Sequence, residues 1–509
     1  MRANHLHDAD KAHLVHQQTD LKGFAVDGPL LMAEGDGVHV TDTEGRRYIE
    51  GMAGLWCAGL GFSEKRLAEA AYRQMLKLPY YHTFYGRGHG PSAELAERLA
   101  AIAPAGLNHA LFQCSGSESN DAAIKLIWYY NNVLGRPHKK KIIGRMRGYH
   151  GNTVAAASLS GQPHMHADFD LPYGGRFHHI SNPNYYRAHQ EGETEEDFSA
   201  RMAAELEALI AAEGADTIAA FFAEPVQGGG GALTPPRGYF EAIQPILRQH
   251  DILLVADEVI CGFGRTGAMW GSETYGMRPD LLSCAKQLSA AYQPISALLI
   301  SDRIHDALVR GSERNGVLGH GYTYGGHPVA CAVALETLKI YEERDILGHV
   351  RRVSPAFLDG LAAHADHPMV GEVRGVGLIA GVELMADKAT RTPFPAARKA
   401  GLLVQRKAEA EGLILRAIGD RIAFSPPLII DEAEIAELCA RFGRALDAAW
   451  AELSASAEPA LAEGTGRGLA RARHPGHAGA APGTTGGAAP PPGQAACPAC
   501  PERPRCASS

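Results

Sequence analysis

The apolar positions of this chain form short continuous runs, separated by longer stretches in which apolar residues recur every three or four positions. Four runs predict strands, at residues 139–143, 219–223, 252–256 and 297–301. The last three are apolar throughout, which is typical of parallel strands covered on both faces. Helical periodicity marks residues 197–212 and 237–250. Strands that alternate with helices predict a doubly wound, mostly parallel α/β sheet.

Both flanks of this region have a different pattern. Residues 38–49 are typical of a β-hairpin, and residues 371–453 mix short strands with helices. We expect them to form a smaller α+β domain built from both chain ends. The predicted division gives residues 1–70 and 346–455 to the small domain and residues 71–345 to the large α/β domain, in line with about 150 residues per domain.

The composition changes abruptly near Ser454. Residues 456–509 are rich in Ala, Gly, Pro and Arg and carry few large apolar side chains, so this tail is predicted to be disordered. It contains Cys497 and Cys500 in a CxxC spacing. A complete zinc site needs four suitably spaced ligands, and only His474 and His477 are near, so no metal is expected.

Charge and apolar content exclude several classes of protein. The 509 residues carry a net charge of −8, which gives no reason to expect binding to nucleic acid or to an anionic membrane. No apolar run approaches the roughly 20 residues of a membrane span, and the first residues lack a secretory apolar segment. Nine cysteines in a chain of this length are typical of reduced thiols, so a cytoplasmic location is expected.

Two charged residues end apolar runs. Asp257 follows a buried strand, at the sheet edge where open α/β folds bind ligands, and could face a protonated pyridine nitrogen. Lys286 ends the next run and could condense with an aldehyde. Taken singly, Asp257 is more typical of a helix cap or a turn, and Lys286 is more typical of a lysine that reaches the surface.

Two further segments have residues that could bind a ligand together with Asp257 and Lys286. Small residues from Cys114 to Asn120 lead into a helix, where backbone N–H groups and the helix dipole could hold a phosphate; a serine-capped helix is the alternative. Tyr149 lies between glycines and could stack on a flat ring, or could be a turn tyrosine. Lysine, acid, phosphate cradle and aromatic are together what pyridoxal phosphate requires.

With these residues in place, the chain resembles the class III aminotransferases of the fold-type I pyridoxal-phosphate enzymes, from His13 to Leu453. The resemblance depends on four segments: residues 253–267 (LLVADEVICGFGRTG), 221–228 (FFAEPVQG), 321–328 (GYTYGGHP) and 373–378 (VRGVGL). It implies a large, mostly parallel sheet domain with a smaller α+β domain, and pyridoxal 5′-phosphate as the cofactor.

The resemblance also implies roles for individual residues. Lys286 forms the Schiff base with the cofactor and moves the proton, and Asp257 keeps the pyridine nitrogen protonated. The remaining residues are implied to bind the cofactor: Gly116 and Ser117 at the phosphate, Tyr149 with His150 and Val259 at the ring, and Glu224 in support of Asp257. Thr323 is implied to reach the phosphate bound by a neighbouring subunit. The resemblance therefore implies an obligatory homodimer, and two dimers could form a tetramer.

Within the family, residues 51–57, 81–85 and 413–416 are similar to segments of the ω-amino acid and amine:pyruvate transaminases. The similarity implies a substrate pocket formed by Leu55, Trp56, Tyr85, Tyr149 and Arg416. Trp56 could equally be a core tryptophan. A glycine often follows the cofactor lysine in this family, and Gln287 stands there instead.

The expected reaction is a ping-pong transfer of an amino group from an ω-amino acid or amine to pyruvate or a similar keto acid. Other donors remain open: diamines, 4-aminobutyrate and taurine. A decarboxylase or an aminomutase of the same fold is a less favoured alternative. A cofactor-sensing regulator would need a DNA-binding region, and no basic helical segment precedes the α/β core.

Overall fold

The computed structural model describes residues 2–171 and 175–455. The predicted disordered tail, residues 456–509, and its CxxC pair lie outside these residues. The strands are β1 (Met32–Asp36), β2 (His39–Asp42), β3 (Arg47–Glu50), β4 (Leu107–Gln113), β5 (Lys141–Arg145), β6 (Phe177–Ile180), β7 (Ile218–Ala223), β8 (Leu253–Asp257), β9 (Leu281–Cys284), β10 (Ser296–Ser301), β11 (Val370–Val376), β12 (Ile379–Leu384), β13 (Leu413–Ile414), β14 (Arg416–Ala417) and β15 (Arg421–Phe424).

The helices are α1 (Arg2–His13), α2 (Leu21–Asp27), α3 (Ala53–Trp56), α4 (Lys65–Lys77), α5 (Gly90–Ile102), α6 (Gly116–Val133), α7 (Val154–Leu159), α8 (Tyr185–Ala188), α9 (Glu195–Glu213), α10 (Tyr239–Gln249), α11 (Gly271–Thr274), α12 (Asp302–Asn315), α13 (Pro328–Glu343), α14 (Ile346–Ala362), α15 (Ala400–Ala410) and α16 (Glu432–Ala455). Among residues 2–171 and 175–455, no helix has the length and apolar character of a membrane span.

A seven-stranded sheet in the order β4-β10-β9-β8-β7-β5-β6 forms the centre of the fold. Neighbouring strands from β9 to β6 are parallel, as predicted. The strand expected at residues 297–301 exists as β10, but it pairs antiparallel with both β9 and β4, so its predicted direction is wrong. Apolar content indicates that a strand is buried, but it does not indicate which way the strand runs. Residues 285–295 join β9 to β10 and are too few for the crossover connection that a parallel pair needs.

The two predicted helices are confirmed as α9 and α10, within two residues at each end. Thr194 begins α9 with a capping box, because its hydroxyl accepts a bond from Asp197 N at 3.1 Å while the Asp197 carboxylate bonds back. The helix ends at Gly214, whose φ of 82° suits glycine. α9 and α10 pack against one face of the central sheet, and α6 and α12 pack against the other.

The two chain ends meet in a second sheet. β2 and β3 form the predicted antiparallel hairpin, and β13 joins them through the parallel pairs Leu413 with Ile49 and Ile414 with Glu50. A third sheet has the order β11-β12-β15-β14. The predicted domain boundary at residue 70 falls inside α4. The division into large and small domains otherwise stays a prediction.

Candidate active site

A cavity of about 360 Å³ opens at the carboxyl ends of the parallel strands. Its walls come from the segments that follow β5, β7, β8 and β9 and from the start of α6 after β4. This is the edge at which open α/β sheets bind ligands. Eight of the predicted residues line it: Gly116, Ser117, Tyr149, His150, Glu224, Asp257, Val259 and Lys286.

Asp257 is the last residue of β8 and is 3% exposed. Its Oδ2 accepts hydrogen bonds from Asn120 Nδ2 and from His150 Nδ1, both at 2.8 Å. Its Oδ1 accepts from the Val259 N–H at 3.2 Å. These bonds fix the carboxylate in one orientation at the cavity wall, where a cationic ring nitrogen would find a charged partner.

Lys286 begins a short 3₁₀ turn, Lys286–Ser289, immediately after β9. Its φ of 47° is unusual for a residue with a side chain, and Ala290 and Ala291 also have positive φ. Such conformations cost of order 1 kcal/mol or more each and cluster at functional sites. The turn directs the lysine into the cavity beside Cys57, where its positive charge opposes the rise in the pKa of the Cys57 thiol caused by burial.

The start of α6 forms an anion cradle. Ser115 caps the helix by accepting from Glu118 N at 3.2 Å, and the Glu118 carboxylate accepts from Cys114 N at 2.7 Å. The first-turn N–H groups of Gly116 and Ser117 have no acceptor within the helix, so they are available to a phosphate. A Cβ on Gly116 would lie 3.0 Å from both methyl carbons of Val259, so glycine permits this close contact.

Glu224 holds the loop that carries Tyr149. Its two carboxylate oxygens accept bonds from Tyr149 N and Gly228 N, each at 3.0 Å. Burial, together with the nearby Asp257 charge, raises the pKa of Glu224 to about 7. Burial also raises the pKa of the Tyr149 phenol, and the Arg416 guanidinium opposes that shift.

The other predicted site residues do not line the cavity. Trp56 is 1% exposed and packs in an apolar cluster with Met52 and Ile260, as a core tryptophan would. Leu55 and Tyr85 are exposed, as is Thr323, whose carbonyl accepts from Tyr80 Oη at 2.8 Å. Arg416 is half-buried in β14. Their roles in substrate or cofactor binding stay predictions.

Sequence reasoning missed Asn120 and Cys57, which both line the cavity. Asn120 lies one helical turn after Gly116, so its position on the same face of α6 was the available signal. Gln287, the departure from the family pattern, is fully buried and does not line the cavity. Its Nε2 lies 3.5 Å from the Ile260 carbonyl oxygen, so the side chain points toward the segment after Asp257.

Glu50 anchors the irregular segment that brings Cys57 to the cavity. In this segment Ala53, Gly54 and Trp56 have positive φ. The Glu50 carboxylate accepts from Met52 N at 3.1 Å and from Gly54 N. Burial raises the pKa of Glu50 to about 8, and the Arg265 charge opposes this rise. Glu50 is therefore a buried acid that the folded protein tends to keep protonated.

We expect the free energy of unfolding to depend on pH through Glu50. Between pH 4.5, the ordinary pKa of a glutamate, and the raised pKa of about 8, the folded protein holds a proton that the unfolded chain has lost. This group therefore destabilises the folded state progressively as pH rises through that window, by up to about 1.4 kcal/mol per pH unit. Urea unfolding at pH 5, 6.5 and 8 measures this dependence. The free energy of unfolding should decline less steeply with pH for Glu50→Gln than for the wild type. Equal slopes would contradict the assignment, and Glu44→Gln, a change of an exposed side chain, is the control.

The cavity meets the requirements of pyridoxal phosphate. Asp257 faces the cavity with an oriented carboxylate, Lys286 enters it, and the glycines at 116 and 151 leave room where a Cβ would contact Val259 or Ser117. The first-turn N–H groups of α6 supply donors for the phosphate. The fold and this site define a pyridoxal-phosphate-dependent aminotransferase.

Comparison with known proteins places the chain in one family. Residues 25–446 match the model of the class III aminotransferases, and the chain belongs to that family. It is 49% identical over 419 residues to gamma aminobutyrate transaminase 3, chloroplastic, of Solanum lycopersicum, covering 82% of this chain and 80% of that protein. Gamma-aminobutyrate transaminase 1, mitochondrial, of Oryza sativa subsp. indica is 50% identical over 421 residues, covering 82% of this chain and 81% of that protein.

Solved structures give the same family. The omega transaminase from Pseudomonas jessenii in complex with PMP has a TM-score of 0.87 at 48% identity, covering 88% of this chain and 99% of that chain. A transaminase with L-ala has a TM-score of 0.82 at 52% identity, covering 83% of this chain and all of that chain. The predicted fold, enzyme class and cofactor are thereby confirmed.

Proposed function

We propose that this aminotransferase moves the amino group of an ω-amino acid or a simple amine to pyruvate or a similar keto acid, with 4-aminobutyrate as the first donor to test. The observation that carries the proposal is the cavity that Lys286 enters, which is lined by the oriented Asp257 carboxylate and by the phosphate cradle of α6. The resemblance assigns Arg416 to the substrate pocket, where its guanidinium would bind a carboxylate remote from the reacting nitrogen. The omega and gamma-aminobutyrate transaminases among its relatives support this donor class.

The residues that line the cavity have separate roles in the proposed amino transfer. Bound pyridoxal phosphate supplies an electron-accepting ring and an aldehyde that takes up the amino group. Lys286 would hold the cofactor covalently and, once free, would carry a proton to and from the carbon that bears the amino group. Asp257 keeps the proton on the ring nitrogen. Gly116 and Ser117 bind the phosphate, and Tyr149 and Val259 position the ring. Glu224 holds the backbone of Tyr149, and His150 holds the carboxylate of Asp257.

The proposed donor class can be tested in half-reactions. Holoenzyme mixed with β-alanine, 4-aminobutyrate, taurine, putrescine or a simple amine should change its cofactor absorbance, and pyruvate should restore it. The donor with the highest rate constant is the physiological candidate. Release of carbon dioxide, or isomerisation without a keto acid, would instead indicate the decarboxylase or aminomutase alternative.

Arg416→Gln should separate the two kinds of donor. We expect the apparent affinity for 4-aminobutyrate in the half-reaction to fall roughly 10- to 100-fold, because a charge-assisted pair with the carboxylate is lost. The affinity for an uncharged-tail amine should change by less than about threefold, since it makes no such pair. Arg310→Gln, an exposed arginine in α12, is the matched control. An equal loss for both donors would contradict the role of Arg416.

We propose a homodimer as the working form, with a tetramer as the alternative. The exposed Tyr80 and Tyr324 lie beside the exposed Thr323, and Tyr81 and Tyr85 are exposed as well. Exposed aromatic clusters mark interaction surfaces. Light scattering should give about twice the chain mass of 54.3 kDa, and a monomer would contradict the proposal.

A cytoplasmic location stays a proposal, supported by free thiols at the six cysteines that the structure describes.

A further inference from the structure

A second cavity, of about 530 Å³, lies between the segment after β5 and the β14–β15 hairpin. It shares no lining residue with the active-site cavity. The backbone of Gly229 and Gly230 separates the two, because both glycines line the second cavity and a Cβ on Gly229 would lie 2.7 Å from Tyr149 Cβ. The second cavity is therefore a distinct space that adjoins the loop holding Tyr149.

The wall of this cavity is cationic and rich in hydrogen-bond donors. Arg147, Arg201 and Arg421 line it, and none of its lining residues within the described chain is acidic. Gln162, Ser181 and Asn182 add uncharged polar groups. His164 also contributes to the wall. Such a wall favours a negatively charged ligand over a neutral or cationic one.

Two of the three arginines lack full charge compensation. Among the described residues, Arg147 forms no ion pair, and its backbone is held at φ 64° by a bond from Arg147 N to Gly161 O at 2.6 Å. Arg421 is 6% exposed, and its Nε has no hydrogen-bond partner in the described structure. Arg201, by contrast, is paired through two bonds with Glu193.

The nearest carboxylate to Arg421 is already engaged. Glu383 Oε1 lies 3.6 Å from Arg421 Nη1, but Glu383 also pairs with Arg187 at 2.6 Å and Arg374 at 2.9 Å. Burial lowers the pKa of Arg421 to about 10, and repulsion from Arg147 and the other arginines adds to this while Glu383 opposes it. An anion in the cavity would relieve that repulsion.

We propose that this second cavity is an anion-binding site for a small polyanion that carries carboxylate or phosphate groups. Arg147 supplies an uncompensated guanidinium at the rim, and Arg421 supplies a second at the wall. Planar guanidinium groups bind both kinds of oxyanion through paired hydrogen bonds. The site is separate from the substrate cavity, so it does not depend on which donor the enzyme uses.

Titration calorimetry on the holoenzyme tests this site, because bound cofactor occupies the phosphate cradle of α6. Citrate and inorganic phosphate are the two probes. We expect one anion per chain and a Kd at least about tenfold weaker in Arg147→Gln, since a charge-assisted contact is lost. Arg310→Gln should bind like the wild type. Tighter binding of citrate would assign polycarboxylates, and tighter binding of phosphate would assign phosphorylated compounds.

Two results would overturn the site. The first is the absence of binding by either anion to folded wild-type holoenzyme. The second is binding that survives Arg147→Gln but is lost in Arg416→Gln, which would locate the anion in the substrate cavity. Circular dichroism checks that Arg147→Gln, a change of an exposed side chain, remains folded. Neither result would bear on the proposed amino transfer, which the half-reactions measure separately.

Discussion

Lys286→Ala should lower the rate of transamination by roughly 10⁴-fold or more, because it removes both the covalent attachment of the cofactor and the base that moves the proton. Lys286 enters the cavity from a turn with positive φ, and no other lysine lines that cavity in the described part of the chain. A neighbouring lysine therefore cannot take over the attachment of the cofactor. Steady-state rates with 4-aminobutyrate and pyruvate measure the loss.

Covalent attachment of the cofactor is a second measurement on the Lys286→Ala variant. The wild-type protein, reduced with borohydride and denatured, should keep the cofactor on the chain, whereas Lys286→Ala should release it. Lys139→Met is the matched control, since Lys139 is a buried lysine that donates to the Ala215 and His250 carbonyls outside the cavity. If Lys286→Ala retained turnover and attached cofactor, the assignment of Lys286 would be wrong.

Asp257→Asn should lower kcat roughly 10²- to 10³-fold while leaving the fold intact. The variant keeps the side-chain shape but removes the charge that holds a proton on the ring nitrogen, and losing one partner of a buried pair costs about 3–5 kcal/mol. Asn120 and His150 would then face an uncharged amide. Single-turnover absorbance of the half-reaction isolates the chemical step from cofactor binding.

Asp280→Asn controls for the loss of a strand-associated acid. Asp280 accepts from Leu254 N at 3.0 Å and pairs with Arg303, and it does not line the active-site cavity. We expect its rate of amino transfer to match the wild type. A cofactor-saturated Asp257→Asn protein that turned over at the wild-type rate would rule out the proposed role of Asp257.

The core of the candidate site could be predicted because each of its residues lies at one end of an element with a clear sequence pattern. Asp257 ends the apolar strand β8, Lys286 follows β9 after Ala285, and the cradle is the first turn of the helix α6. Carboxyl ends of parallel strands share one edge of a sheet, so residues distant in sequence were expected to converge there. All eight residues that line the cavity from the predicted set lie on such segments.

The surrounding residues were harder to predict because their environment depends on long-range packing. Trp56 and Leu55 are neighbours in sequence, yet Trp56 is 1% exposed and Leu55 is 57% exposed. Positive φ at Ala53, Gly54 and Trp56 turns the segment out of any regular periodicity. Residue type alone therefore could not distinguish a core tryptophan from one in a substrate pocket.

The alternation of strands and helices, the apolar faces, and the reactive residues at the strand ends follow from the sequence alone, because they depend on local order and on solvent exclusion. The antiparallel direction of β10, the pairing of β13 with β3, and the bonds of Asn120 and His150 to Asp257 became known from the folded structure. Those features join segments far apart in the chain, and their free energy exists only once the segments have packed together. The cationic second cavity is of the same kind, since Arg147 and Arg421 meet only in the folded chain.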